Sequence, residues 1–564
     1  MFEAIHPVWP FLIGALLLPL LPRGVPRAAL AVLAPVLGAA LLWALPVGTV
    51  PGIPFLGQEL TFLRVDRLAV IFALIFCVAG ALAMVFAWEL DDALQQSAAL
   101  LYAGSAVGAV LAGDLVALFI FWEGTAIASV FLVWARGTET AYRVGMRYLI
   151  VQITSGVILL AGAALYLADT GSLAFEAMTL DTPATWLIFL AIGIKCSFPL
   201  LNMWLPDTYP AATVTGAVIL SIFTTKLAVY ALARGFPGAD VLLWVGAAMA
   251  VLPIFHALIE DDLRRVLSYS LISQLGFMVV GVGIGTELSI SGSAAHAVSG
   301  ILYKSLLFMA VGAVLLRAGT ARASDLGGLV RSMPVTAGLS LIGAASISAV
   351  PLFTGFVSKS LILGEAGHEG HAIVWAMLLA ASAGAVLHTA IKVPFFAFFG
   401  ADRGHRVAEA PRPMVVAMAL TGGLCVLIGC FPGILYGLLP SEVDYKPYTV
   451  SHIITQLQLL TFAALAFAVL WRLGLFPRPK AGVTLDFDWV YRRVMPRVID
   501  GLAVTMGASW DTGVRLVGRQ YTLILRGLYR HHGPEGRIAR TWPTGAMVLW
   551  VAVLLLAVML VNFI

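Results

Sequence analysis

Charge is scarce in this chain. Only 11% of its residues are Asp, Glu, Lys or Arg, against 60% hydrophobic ones, and the mean hydropathy is +0.96. That balance excludes a soluble globular domain. Cysteine is scarcer still: Cys77, Cys196, Cys425 and Cys430 are scattered among apolar segments, with no C-x-x-C arrangement. An iron–sulfur or structural zinc site therefore has no ligand set. No Walker-type or G-x-G-x-x-G phosphate loop is present in a strand–helix context, and no basic–aromatic groove for nucleic acid. No cofactor and no nucleic-acid partner are expected. With no energy source of its own, the chain must draw on an ion gradient or on partner subunits for any transport.

Long hydrophobic runs fill the space that charge leaves. Sixteen apolar segments approach or exceed the length needed to span about 30 Å of hydrocarbon. Two of them, 97–112 and 114–134, are separated by little more than Asp114. Glu3 stands where a signal peptide would carry a basic start, and the first apolar run leads into Arg23 and a second span, so no signal peptide is expected. The basic residues test this division. Numbering the segments in order places twenty-five Lys and Arg residues in loops on one side, twelve of them between Arg472 and Arg540, and four on the other: Arg64, Arg67, Arg234 and Lys446. The rich side is expected to be cytoplasmic, with both termini outside.

The remaining five cations lie inside the apolar segments. They are Lys195, Lys226, Lys304, Lys359 and Lys392, and one carboxylate, Glu123, lies within LVALFIFWEGTAIASVFLVW. A charge at bilayer depth costs roughly 2.5–3.5 kcal/mol on insertion scales, so such residues are rare and usually carry ions or protons. The bland alternative is a lysine snorkelling to the interface, with Lys359 and Lys392 the best candidates for it. Six charges together point instead to a path for charge through the membrane.

Spacing suggests a duplication. Lys226 follows Lys195 after 31 residues, and Lys392 follows Lys359 after 33. Each first member lies beside an interruption, Pro199 and Pro206 after Lys195, Pro351 and Gly355 before Lys359. Two five-helix units with broken helices would give this pattern, and an odd number of spans per unit would make the second inverted. Chance spacing is the competing explanation.

Ordered stretches carry a family resemblance. FWEGTAIASVFLVW at 121–134, IKCSFPLLNMWLPDTYPAATVTGAVILSIFTTK at 194–226 and IEDDLRRVLSYSLISQLGFMVVG at 259–281 are followed by AAHAVSGILYKSLLF and PLFTGFVSKSLIL. Together they resemble the antiporter-like membrane subunits shared by Mrp-type cation/proton antiporters and respiratory complex I, and point first to the D-type subunit of Mrp antiporters. The resemblance implies an all-α integral membrane fold: about sixteen transmembrane helices, two inverted five-helix repeats with broken helices, and a cytoplasmic amphipathic C-terminal arm. It also implies a proton relay through Glu123, Lys195, Lys226, Lys304 and Lys359, with Glu123 and Lys195 acting as a pair that opens and closes. His296, eight residues before Lys304 and about 12 Å along a helix, matches a histidine of some members and suits a relay near neutral pH. His256 has no such support and reads as a core histidine. Lys392 occupies a variable position and reads as structural.

The chain departs from the family pattern at Tyr209-Pro210-Ala211-Ala212-Thr213 and at Glu260-Asp261-Asp262. A metal site is not legible. Dehydrated sodium needs clustered oxygens, for which Asp66, Asp114 and Thr215 are the only suggestions. The expected division is N-terminal helices at 1–95, repeats at 96–235 and 236–400, additional helices at 401–475, an amphipathic arm at 476–540 and a last helix at 541–564. In the arm, glycines and prolines, among them Pro496, Gly501, Gly513 and Pro534, are expected to interrupt any long helix. It either lies on anionic lipid or straps neighbouring subunits. The functional expectation is a proton-translocating subunit of a multisubunit sodium/proton antiporter in a bacterial inner membrane. It is a secondary transporter component rather than an enzyme, with hydrophobic subunits, lipid, protons and sodium as partners. The alternatives are the pump subunit of complex I or a membrane hydrogenase, and a non-translocating scaffold.

Overall fold

The computed structural model describes residues 5–50, 52–55, 57–477, 493–534 and 542–563, with Gly482, Trp489, Gly536 and Arg540 as isolated positions. Glu3, Tyr491 and most of the stretch between Pro477 and Arg493 lie outside the described residues. The chain divides into two units, 1–484 and 485–564.

Helices make up most of the first unit, as an apolar solvent demands: inside hydrocarbon every backbone N–H and C=O must find an internal partner. Among the described residues of the whole chain, thirteen helices are long and apolar enough to cross a membrane. Three shorter apolar helices, Trp9–Leu20, Pro183–Cys196 and Pro334–Ile347, fall in the remaining segments. The separation at Asp114 is real. Its carboxylate accepts from the backbone N–H groups of Val116 and Ala117 (2.8 and 2.7 Å) and so starts the helix Leu115–Trp134 after Ala93–Leu111 has ended.

Two stretches share one local plan. Asp114 caps Leu115–Trp134, and Asp262 caps Leu263–Ile284. Each is followed by a 32-residue helix, Glu139–Thr170 or Glu287–Ala318, which a threonine caps at its start and a left-handed glycine ends. Each aspartate also makes an antiparallel bridge to the loop after that long helix, Asp114 with Ala174 and Asp262 with Arg322. The offset in residue number is the same for the capping aspartates, the long helices and the bridges.

The next helix is interrupted in both stretches. Pro183–Cys196 stops before Trp204–Ala211, and Pro334–Ile347 stops before Thr354–His368. The turns between them hold the four non-glycine residues with positive φ among those described: Ser197 (64°), Leu200 (71°), Ala349 (59°) and Leu352 (75°). Such a conformation costs about 1–3 kcal/mol per residue and persists only where the surroundings fix it. Trp204 Nε1 donates to Ile194 O at the first break (2.9 Å), and Gln456 Nε2 to Ser348 O at the second (3.0 Å).

Residues assigned by sequence to one membrane side meet in space. Arg234 pairs with Asp66 (2.6 Å), with Arg64 beside it (3.7 Å). On the other group, Arg264 and Arg136 both donate to Pro210 O, and Arg265 pairs with Asp207 (2.6 Å). The two departures from the family pattern thus meet: Arg264, which follows Glu260-Asp261-Asp262, donates to the Pro210 and Ala212 carbonyls at the end of Trp204–Ala211. The acidic residues are used locally. Asp261 takes Ser324 N and Oγ (2.8 and 2.9 Å), and Glu260 accepts from Asp261 N.

The second unit corrects one expectation. Met495–His532 is a single 38-residue helix, unbroken through Gly501, Gly507, Gly513, Gly518 and Gly527. Pro496 falls in its first turn, where proline is tolerated, and Pro534 lies beyond its end. Ile499, Leu502, Met506, Trp510, Val517, Tyr521, Ile524 and Leu528 form one stripe, with Arg515, Arg519, Arg526 and Arg530 on the opposite face. That stripe gives a reason for helix which outweighs glycine's cost of about 1 kcal/mol per position. The last helix, Thr544–Asn562, has no buried residue.

The helices Asp240–Ile259 and Leu263–Ile284 pack backbone to backbone through glycine. A Cβ on Gly276 would stand 2.5 Å from Gly246 O and 2.8 Å from Ala250 Cα. Backbone atoms cannot yield there. Gly276→Ala is expected to cost about 1–3 kcal/mol, seen as a lowered thermal midpoint of the purified protein in detergent. Gly338→Ala, which meets nothing within 4 Å, should leave the midpoint unchanged; equal midpoints for both variants would contradict this packing.

Candidate functional site

Lys195 occupies the last turn of the half-helix Pro183–Cys196, where an ammonium suits the free carbonyls and the helix dipole. It is fully buried. Its Nζ donates to Trp122 O (2.6 Å) and Thr125 Oγ1 (2.9 Å) and lies 4.5 Å from the Trp122 ring centre. That indole is fixed from behind: Trp122 Nε1 donates to Ser155 Oγ (3.0 Å), which donates to Ala191 O (2.7 Å). Glu123 lies between the two residues that hold Lys195, yet its carboxylate makes no ion pair with the lysine. Oε1 is buried without a hydrogen-bond partner and turns towards the next helix, seated over Gly156, where any Cβ would overlap it. The expected Glu123–Lys195 pair is therefore open here, because Trp122 O and Thr125 have taken the ammonium.

Lys226 follows a second discontinuity. Val214–Leu220 ends, Ser221–Phe223 turn, and Thr224–Gly235 begins. Its Nζ donates to Ser221 O (2.7 Å), a carbonyl left at the end of the short helix. Lys304, in the middle of Glu287–Ala318, donates to Ser270 Oγ (2.5 Å) on Leu263–Ile284. Lys359 donates to Ile347 O (3.1 Å), the last residue of the half-helix Pro334–Ile347, and lies 4.9 Å from the Phe277 ring. His296 meets Ser358 Oγ through Nδ1 (3.1 Å) and Tyr303 Oη through Nε2 (3.4 Å), so it touches the residue next to Lys359 and shares a helix with Lys304.

Snorkelling is excluded for both candidates. Lys359 is 1% exposed and Lys392 0%. Lys392 donates to Ala257, Leu258 and Glu260 carbonyls (2.9, 2.7 and 2.6 Å) and closes the end of Asp240–Ile259. His256 is half-buried and stacked on Tyr269, centres 5.3 Å apart.

The five lysines share one chemical setting. Each ammonium meets carbonyl or hydroxyl oxygens, and none makes an ion pair among the described residues. Five of the carbonyls, those of Ser221, Ile347, Ala257, Leu258 and Glu260, are at helix ends, where intrahelical donors run out. The suggested cation ligands do not converge. Asp66 pairs with Arg234 and accepts from Ala69 N, Asp114 caps a helix, and Thr215 accepts from Gln95. Among the described residues no three His, Cys, Asp or Glu side chains form a metal-binding group.

The family described as NADH:quinone oxidoreductase/Mrp antiporter, TM, matches residues 112–387. A relative in Alkalihalophilus pseudofirmus, the D-type subunit of a Na(+)/H(+) antiporter, is 30% identical over 341 residues, 56% of this chain and 69% of its own length. The chain belongs to this family. Hydrogenase-4 component B of Escherichia coli is 28% identical over 350 residues, 55% of this chain and 52% of its own. Among solved structures, the Mrp complex of Dietzia sp. contains a chain with a TM-score of 0.76 and 26% identity, covering 92% of this chain and 62% of the other. The family's membrane character and antiporter affinity thus rest on sequence and fold together.

Sequence reasoning within this family missed Ser270, Thr389 and His388. Ser270 was visible only as one serine of SYSLIS, and His388 as part of HTAIKVPFFAFFG, with no spacing rule to link either to Lys304. Thr125 was missed for the same reason. Thr125→Val removes one hydrogen bond to a buried charged group, which contributes about 1.5–3 kcal/mol. A fall in the thermal midpoint of the purified chain is expected, and an unchanged midpoint would show that Lys195 does not depend on this hydroxyl.

Proposed function

We propose that this chain is the proton-translocating subunit of a multisubunit sodium/proton antiporter. The observation that carries the reading is the set of buried lysines, each held by neutral oxygens and several of them at broken helices. An ammonium so held is costly, and a nearby carboxylate or a hydrated break changes that cost. A lysine in this setting can therefore cycle between ammonium and amine as its surroundings shift. In the proposed relay a proton loads at Glu123 and Lys195, passes by Lys226 to Lys304, and leaves by His296 and Lys359. The open Glu123–Lys195 arrangement corresponds to one end of the loading cycle: closing the pair stabilises the ammonium, opening it favours release.

The shared caps, bridges and interrupted helices support a duplicated unit, inverted because each copy has an odd number of spans, as in many secondary transporters. The site of action proposed is a bacterial inner membrane, with both termini outside and the amphipathic helix Met495–His532 lying on the cytoplasmic lipid face. Sodium and other hydrophobic subunits are the proposed partners. Similarity to a hydrogenase component favours a second reading, in which electron transfer in neighbouring subunits drives the same relay.

Lys195→Ala and Glu123→Gln are expected to abolish sodium-driven proton movement in everted vesicles while the complex still assembles on a native gel. Transport at the native rate in either variant would leave the scaffold reading in possession.

A further inference from the structure

One fully buried ionisable group has no place in that relay. His388 is 0% exposed, and its Nε2 has no hydrogen-bond partner among the described residues. It lies on Val386–Ile391, a π-helical turn inside the helix Ala372–Phe399. Such turns insert one extra residue, re-aim the side chains around it, and are frequent at functional sites. What the turn aims here is specific. Thr389 Oγ1 lies 3.4 Å from His388 Nδ1 and donates to Ser270 Oγ at 2.6 Å. Ser270 Oγ is the same oxygen that accepts from Lys304 Nζ at 2.5 Å. Four polar groups from three helices thus form a continuous chain in an apolar interior, where an unpaired polar atom is expensive and usually has a reason.

We propose that His388 is a proton-holding site branching from Lys304, reached through Ser270 and Thr389. The inference rests on the relay reading of Lys304. In the transfer, the Lys304 ammonium gives a proton to Ser270 Oγ while the Ser270 hydroxyl hydrogen passes to Thr389 Oγ1. The Thr389 hydrogen passes in turn to His388 Nδ1. An amine and an imidazolium replace an ammonium and a neutral imidazole, and both hydroxyls are restored. The Thr389 hydroxyl, which points at Ser270 in the resting arrangement, turns towards His388 for the transfer. Four residues on from His388, Lys392 caps Asp240–Ile259 at Glu260 O. The branch gives Lys304 a second outlet, separate from the one through His296 and Lys359.

The test uses the intact complex in everted vesicles, with sodium-driven proton flux as the readout and native gels for assembly. Thr389→Val keeps the shape and removes the hydroxyl, and His388→Gln removes the titrating ring. Both are expected to lower flux to the share that the outlet through His296 and Lys359 carries alone. Thr389→Ser restores the hydroxyl and should return flux to the native level, which a purely structural role for the threonine methyl would not allow. Where the valine variant fails to assemble, Thr389→Ala is read in its place. Native flux in Thr389→Val and His388→Gln, with Lys304→Ala silent, would overturn the branch and leave the relay standing. Loss in Thr389→Ser equal to that in Thr389→Val would also overturn it. Native flux in Lys304→Ala would instead overturn the relay itself.

Discussion

The bond between a buried lysine and a carbonyl at the end of an interrupted helix is the interaction on which the rest of the structure depends. In a helix that runs unbroken through a membrane each interior carbonyl already has a backbone donor. Breaking it exposes unsatisfied oxygens at bilayer depth, which is costly unless donors fill them. The lysines are those donors. Lys226 takes Ser221, Lys359 takes Ile347, and Lys392 takes the last carbonyls of Asp240–Ile259. At these three places the cation and the helix end each offset part of the other's cost.

The same balance explains the strained turns. Ser197, Leu200, Ala349 and Leu352 hold left-handed conformations that only glycine adopts freely. They recur at matching places in the two stretches, and each turn is pinned by a side chain, that of Trp204 from the following half-helix in one and that of Gln456 from a distant helix in the other. Around this polar centre the packing is tight backbone contact through glycine, and at Gly156 the missing side chain is what leaves room for Glu123. A glycine there and a lysine at the matching position of the second stretch, Lys304, give the two stretches different chemistry on the same frame.

Much of this was legible in the sequence, and the physical reasons are specific. The membrane-spanning helices follow from hydropathy, because solvation by lipid leaves little freedom. Glu123 and the five lysines were conspicuous because they violate that rule. What stayed hidden depends on direction rather than composition. No pattern tells that Lys195 reaches Trp122 O in place of Glu123, since that choice belongs to side-chain geometry across three helices. The long helix Met495–His532 was misjudged by weighing its glycines one by one, when the apolar stripe from Ile499 to Leu528 sets the outcome. Ser270 and Thr389 are ordinary hydroxyls in sequence, and they gain meaning only when Lys304 lies within reach.

The most direct test of the account is proton uptake by liposomes that hold the purified intact complex, followed with a trapped pH dye after a sodium pulse. The comparison is between the native chain and Lys226→Ala, which removes the lysine between the two stretches without touching either proposed outlet. The account predicts a pH change in the native complex and none in the variant, with both complexes of the same composition. Proton movement at the native rate in the Lys226→Ala complex would contradict it.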